Sequence, residues 1–208
     1  MHSFLKKSSR KQLLLAICFA IVSCTSFAQT DTAIVNDSKR FQGEVRTEYE
    51  NPNTSPLSAK AKKVFKGINF YPLNEKFAVN ARFVRTPQEK PFQMTTSSGM
   101  RKTYIKYAEI FFMLDDKEYK LNVYQSQELI KSAEYKDYLF IPFTDATSGN
   151  ETYEGGRYID LNIPQSDHIL INFNKAYHPY CAYTDGYNCP VPPQENTLPI
   201  KIEAGVKF

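Results

Sequence analysis

The chain has 208 residues, 42% of them hydrophobic, with 15 Phe and 14 Tyr but no Trp, and 26 basic against 22 acidic side chains. The formal charge of +4 comes from the amino terminus, where Lys6, Lys7, Arg10 and Lys11 are the only charged residues among the first 28. The remaining 180 or so residues are balanced in charge and carry no basic stripe that would follow a phosphate backbone, which excludes nucleic acid as a partner, and they suffice for one domain with its own core.

Residues 1–28 have the layout of a signal peptide. "MHSFLKKSSRKQ" is a basic leader, and "LLLAICFAIV" is apolar over ten residues, against about 20 needed to span a bilayer. "SFAQ" places small residues at Ser26 and Ala28, so cleavage before Gln29 is expected. The alternative is "IVSC", which ends at Cys24 and fits the looser pattern of a lipid-anchored protein. Either route exports the chain, to the periplasm or beyond, with no transmembrane helix after signal removal.

Residues 29–35 form a polar lead-in, expected to be flexible, and residues 36–208 a single domain. Asn36 to Glu50 is expected to be a helix, with Phe41, Val45 and Tyr49 at i, i+4 and i+8 and Asn51-Pro52 as its stop. A second helix is expected from the Ser55 cap and Pro56 through Leu57, Ala61, Val64 and Phe65 to Gly67.

The period then shortens from 3.6 to 2. Phe77, Val79, Ala81 and Phe83 alternate with Ala78, Asn80, Arg82 and Val84. Arg101 to Leu114 is a long strand, Asp115-Asp116 its turn, and Tyr119, Leu121 and Val123 the inward side of the return. "YLFIPF" is short and buried or at an edge, because Pro142 cannot donate to a ladder. Ile159, Leu161 and Ile163 share one face, with Tyr158, Asp160 and Asn162 on the other. Ile169, Ile171 and Phe173 point inward. Leu198, Ile200 and Ile202 mark a last strand. The expected fold is mainly β (α+β): an antiparallel sandwich or barrel of eight to nine strands after two helices.

The segments "FKGINFYP", "TTSSGMRKTYIKYAEIFFML", "KLNVYQ", "LFIPFTDATSGNETYEGGRYIDL", "INFNKAYHPYCAY" and "CPVPPQENTLPIKIEAGVKF" occur in this order. Together they resemble the bacterial and archaeal family catalogued as domain of unknown function 1684, over roughly Phe65 to Phe208. The resemblance implies one domain and brings no activity, cofactor or catalytic residue with it.

Chemistry-bearing residues concentrate in two stretches, Asp145 to Asp160 and Asn174 to Asn196. Cys181 and Cys189 are separated by seven residues, wider than zinc-binding pairs. In an exported protein such a pair oxidises, and a disulfide over this loop stabilises by about 2.5 kcal/mol. A reduced buried pair, or a metal held with His178, are the other readings, and no metal or cofactor is expected.

His178, before Pro179, is extended; it is either a general base or a hydrogen-bonded buried histidine. His168 is expected at the surface. Asp145, Glu151, Asp160 and Glu195 are turn or surface carboxylates, unless two of them face each other across a cleft for acid/base hydrolysis. "DATSGNETYEGG" offers backbone amides to an anion but lacks the lysine and helix of a phosphate loop. Arg157 has the parity of Ile159 and Leu161, so it needs a partner such as Asp145, Asp160 or Glu195.

The tyrosines Tyr153, Tyr158, Tyr177, Tyr180, Tyr183 and Tyr187 crowd around these groups, as in a ligand pocket or a sealed barrel end. The leading expectation is a non-catalytic module that binds a small molecule, glycan or envelope partner. Its candidate contacts are Asp145, Tyr153, Arg157, Asp160, Asn174, Tyr177, His178, Tyr183, Glu195 and Asn196. The alternative is a hydrolase that uses Asp160 and Glu195 with His178.

Overall fold

A computed structural model describes residues 32–208. The expected signal peptide and Cys24 lie outside the described residues. Helix α1 occupies residues 32–50. It ends where Asn51-Pro52 predicts, but residues 32–35, expected in the lead-in, are already helical. The second expected helix shrinks to one turn, α2 (Ala59–Lys62), capped by Ser58, whose Oγ accepts from the Ala61 N–H. Tertiary contacts explain the loss. The Ser58 N–H bonds Thr184 Oγ1 at 3.1 Å, Leu57 is drawn into a core, and Val64 is left 76% exposed. So short a helix has little stability of its own.

The strands are β1 (Asn69–Phe70), β2 (Ala78–Arg85), β3 (Phe92–Thr95), β4 (Arg101–Leu114), β5 (Lys117–Ser126), β6 (Tyr138–Phe143), β7 (Arg157–Asn162), β8 (His168–Asn172) and β9 (Val206–Lys207). The main sheet runs β7-β6-β5-β4-β2-β8, with β3 also paired to β4, and every ladder is antiparallel. Among the described residues no ladder joins β7 to β8, and the second sheet is only the β1–β9 ribbon. The expected sandwich or barrel is therefore a single curled sheet with a small second one.

The β4–β5 hairpin turns on Asp115 and Asp116, both at positive φ (51° and 58°), as a two-residue turn matched to strand twist requires. A bulge between Lys106 and Ala108 reverses the facing of β4. Ala108, Ile110, Phe112 and Leu114 consequently enter the inner core, while Tyr104, of the same parity in sequence, enters an outer cluster with Met94, Tyr124, Phe140 and Tyr158.

The C-terminal segment fills what the sheet leaves open. The expected strand through Leu198, Ile200 and Ile202 does not form. Leu198 and Ile202 are buried there without a ladder, and β9 lies farther on. Tyr177 pairs with Tyr158 through two backbone hydrogen bonds and so covers the free edge of β7. Asn196, 0% exposed, inserts between β5 and β6: its Oδ1 accepts from the Asn122 N–H at 2.8 Å, and its Nδ2 donates to the carbonyls of Asn122 and Pro142. Its carboxamide acts as a peptide unit beside the proline that cannot donate. Gly205 (φ +74°) lets the chain pass so close to the loop at 173–176 that a Cβ would lie 2.5 Å from the Ala176 carbonyl.

Candidate functional site

Alternation along β7 divides its two charged residues. Arg157 points inward and is 0% exposed. It donates to Asp145 at 3.1 Å and to the carbonyls of Ile202, Ala204 and Val206. Asp145 in turn accepts from Thr147 and from the Ile202 N–H at 2.7 Å. Burial pulls the Arg157 pKa down and the Asp145 carboxylate opposes it. This pair fastens the C-terminal segment to the sheet, and a ligand would have to displace that structure to reach it.

Asp160 points outward. The Tyr138 hydroxyl donates to its Oδ1 at 2.7 Å, and the Tyr177 hydroxyl reaches both oxygens at 2.9 Å. Tyr138 is there because β6 pairs Phe140 with Asp160, and Tyr177 because its backbone continues the edge of β7. Asp160 is open to solvent though closely surrounded. Desolvation pushes its carboxyl above the usual range, and the two phenol hydrogen bonds pull the other way. Burial, and then the same carboxylate, drive the Tyr177 hydroxyl well up.

A cavity of about 170 Å³ opens beside Asp160. One wall is Tyr177, His178, Tyr180 and Tyr183; the other is α1, through Phe41, Val45, Glu48 and Tyr49. Tertiary hydrogen bonds hold α1 in place: Gln42 to the Asn174 carbonyl, Asn172 to Ser38, and the Tyr180 hydroxyl to Glu48 at 2.7 Å. Lys175 pairs with Asp37 at 2.9 Å. Tyr49, 5% exposed, lines the cavity, and its hydroxyl has no hydrogen-bond partner among the described residues.

His178 is 2% exposed, and both ring nitrogens are engaged. Nε2 accepts from the Tyr153 N–H at 3.0 Å, which places the proton on Nδ1, 2.8 Å from the Tyr183 hydroxyl. Burial pushes its pKa down to about 3. His178 thus braces the cavity wall and has no lone pair left to act as a base. Glu195 does not line this cavity; it lies on the one-turn helix Gln194–Asn196. Asn174 is buried, bonded to both backbone groups of Asn74 and to Asn172. His168 is on the surface, beside Asp167.

Of the ten candidate contacts, Asp160, Tyr177, His178 and Tyr183 therefore share one cavity, with Tyr153 behind His178. Asp145, Arg157, Asn174 and Asn196 are buried in the framework. Tyr138, Tyr180, Glu48 and Tyr49 join the site. Tyr138 shares the parity of Phe140 and Pro142, and that alternation was the signal that would have placed it on Asp160's face.

The loop "DATSGNETYEGG" is no anion cradle. The amides of Asn150, Glu151 and Thr152 all bond the Thr147 carbonyl, and those of Ser148 and Gly149 are also taken. Cys181 and Cys189 form a disulfide. Cys189 and Tyr187 line a second cleft, which shares Tyr177 and Tyr180 with the first cavity. Among the described residues no group of three or more His, Cys, Asp or Glu could hold a metal ion, and no helix is long and apolar enough to cross a membrane.

The chain is similar to an uncharacterized protein of Haloarcula marismortui solved by solution NMR, with a TM-score of 0.65 and 26% identity, over 88% of this chain and 97% of that one. No curated protein matches it. A family model described as "Protein of unknown function (DUF1684)" matches residues 63–207. That span takes in the sheet, Asp160 and the whole tyrosine wall, but not α1; the chain belongs to the DUF1684 family.

Proposed function

We propose that this protein is an exported, non-catalytic binding module whose ligand enters the cavity between α1 and the Tyr177–Tyr183 wall. The observation that carries this reading is Asp160: a carboxylate held by two phenols, open to solvent at the side of a concave aromatic chamber. Pockets that bind small molecules combine apolar walls with a few fixed polar groups in this way. The paired-carboxylate hydrolase has less support, because His178 is saturated and Glu195 lies off the cavity.

An amide-resolved NMR screen of neutral, cationic and anionic fragments tests the reading. Shifts clustered on residues 41–49 and 177–183 are expected; hits scattered elsewhere, or none, would contradict it. Export is supported by the disulfide, since such bonds persist in oxidising compartments. The mass of the mature protein tests this too. A chain beginning at Gln29 is expected, whereas one beginning at a lipidated Cys24 points to the anchored form.

A further inference from the structure

The chemistry of the cavity lining is one-sided. It presents two carboxylates, Asp160 and Glu48, and no Lys or Arg. His178 is neutral, with both nitrogens engaged. Lys175, whose charge reaches Asp160, is tied to Asp37 and sits over the Phe41 ring. An anion would meet like charge here.

A carboxylate offers about four lone-pair sites. Tyr138 and Tyr177 carry one hydroxyl hydrogen each, so Asp160 keeps capacity for a further donor. The Tyr49 hydroxyl has no partner among the described residues, but its oxygen is fully buried, so Asp160 is the acceptor that opens on the cavity. Around these polar groups stand the rings of Phe41, Tyr49, Tyr177, Tyr180 and Tyr183, whose faces attract cations. Val45, Ile68 and Val206 supply an apolar side. The volume, about 170 Å³, is close to that of an engineered cavity of roughly 150 Å³ that accepts benzene, so it suits a group of four to six heavy atoms.

Building on the binding-module reading, we propose that the cavity takes the charged end of a protonated primary amine. The ammonium group donates to Asp160, and its alkyl stem lies against Val45, Ile68 and Val206. A quaternary ammonium would satisfy the rings but has no N–H for the carboxylate.

The test compares three probes of equal size at pH 7 by saturation-transfer NMR and amide shift mapping: n-butylammonium, n-butanol and butyrate. The expected order is n-butylammonium at least tenfold tighter than n-butanol, with butyrate undetected. Asp160→Asn reduces the preference for amine over alcohol to less than threefold. Binding of n-butanol or butyrate as tight as that of n-butylammonium would overturn the amine assignment and leave the binding-module reading standing. Failure of all three probes to shift any resonance of the cavity would overturn both.

Discussion

Two charged residues three positions apart on β7 have opposite fates. Arg157 is enclosed: its partner Asp145 and three backbone carbonyls surround it, and the pair closes the C-terminal segment onto the inner core. Asp160 faces outward, is held by two phenols and is left with acceptor capacity toward a cavity. Both are perturbed by burial, so perturbation alone does not separate structure from site. What separates them is access: Arg157 Nε also has no partner among the described residues, but it is sealed in the core, whereas Asp160 faces solvent. A charge whose every neighbour belongs to the framework fixes the fold, and a charge with a vacant side facing solvent is available to a ligand.

The largest effect should come from the enclosed member. Arg157→Met leaves Asp145 buried without its counter-charge, and chemical denaturation should show a loss of about 3–5 kcal/mol. A loss below about 1 kcal/mol would mean that the pair does not fasten the C-terminal segment.

Removing the disulfide with Cys181→Ser and Cys189→Ser should cost about 2.5 kcal/mol, read as a shift of the denaturation midpoint. Because Cys189 and Tyr187 line the second cleft, shifts on mutation should concentrate there rather than around Arg157.

His178, in the cavity wall, makes stability depend on pH. It is neutral when folded, with its pKa near 3, against about 6.5 in an unfolded chain. Between those values the unfolded state binds the extra proton, so stability falls as pH drops through this window, by up to about 1.4 kcal/mol per unit. His178→Gln should flatten that slope in melts run from pH 7 to pH 4. An unchanged slope would show that His178 is charged or exposed.

The smallest stability effect belongs to Asp160. In Asp160→Asn the carboxamide oxygen still accepts from Tyr138 and Tyr177, so a change within about 1 kcal/mol is expected, together with loss of the preference for amine over alcohol. A collapse on the scale of Arg157→Met would place Asp160 with the framework.

Much of this division was legible in the sequence. The alternation of Arg157, Ile159 and Leu161 against Tyr158 and Asp160 assigns the two faces, and the parity of Arg157 requires a partner. The Asp115-Asp116 turn and the β2, β4 and β5 strands follow from period and turn chemistry. What stayed hidden depends on contacts between distant residues. The stripe of Phe41, Val45 and Tyr49 reads as the core side of a helix, and nothing local says that it walls a cavity against Tyr177–Tyr183. Helix signals at Ser55 and Pro56 were overridden by the Ser58–Thr184 hydrogen bond and by burial of Leu57. The apolar alternation of Leu198 to Ile202 predicted a strand, but Ile202 gives its backbone groups to Asp145 and Arg157 instead of to a ladder.

The most direct test of the central claim is an amide-resolved titration of the protein and its Asp160→Asn variant with n-butylammonium. Shifts at residues 41–49, Ile68, Asp160, 177–183 and Val206 are expected, weakened in the variant to the level of n-butanol, with the melting temperature of the two proteins nearly equal. Shifts that persist unchanged in Asp160→Asn, or that map away from this cavity, would contradict it.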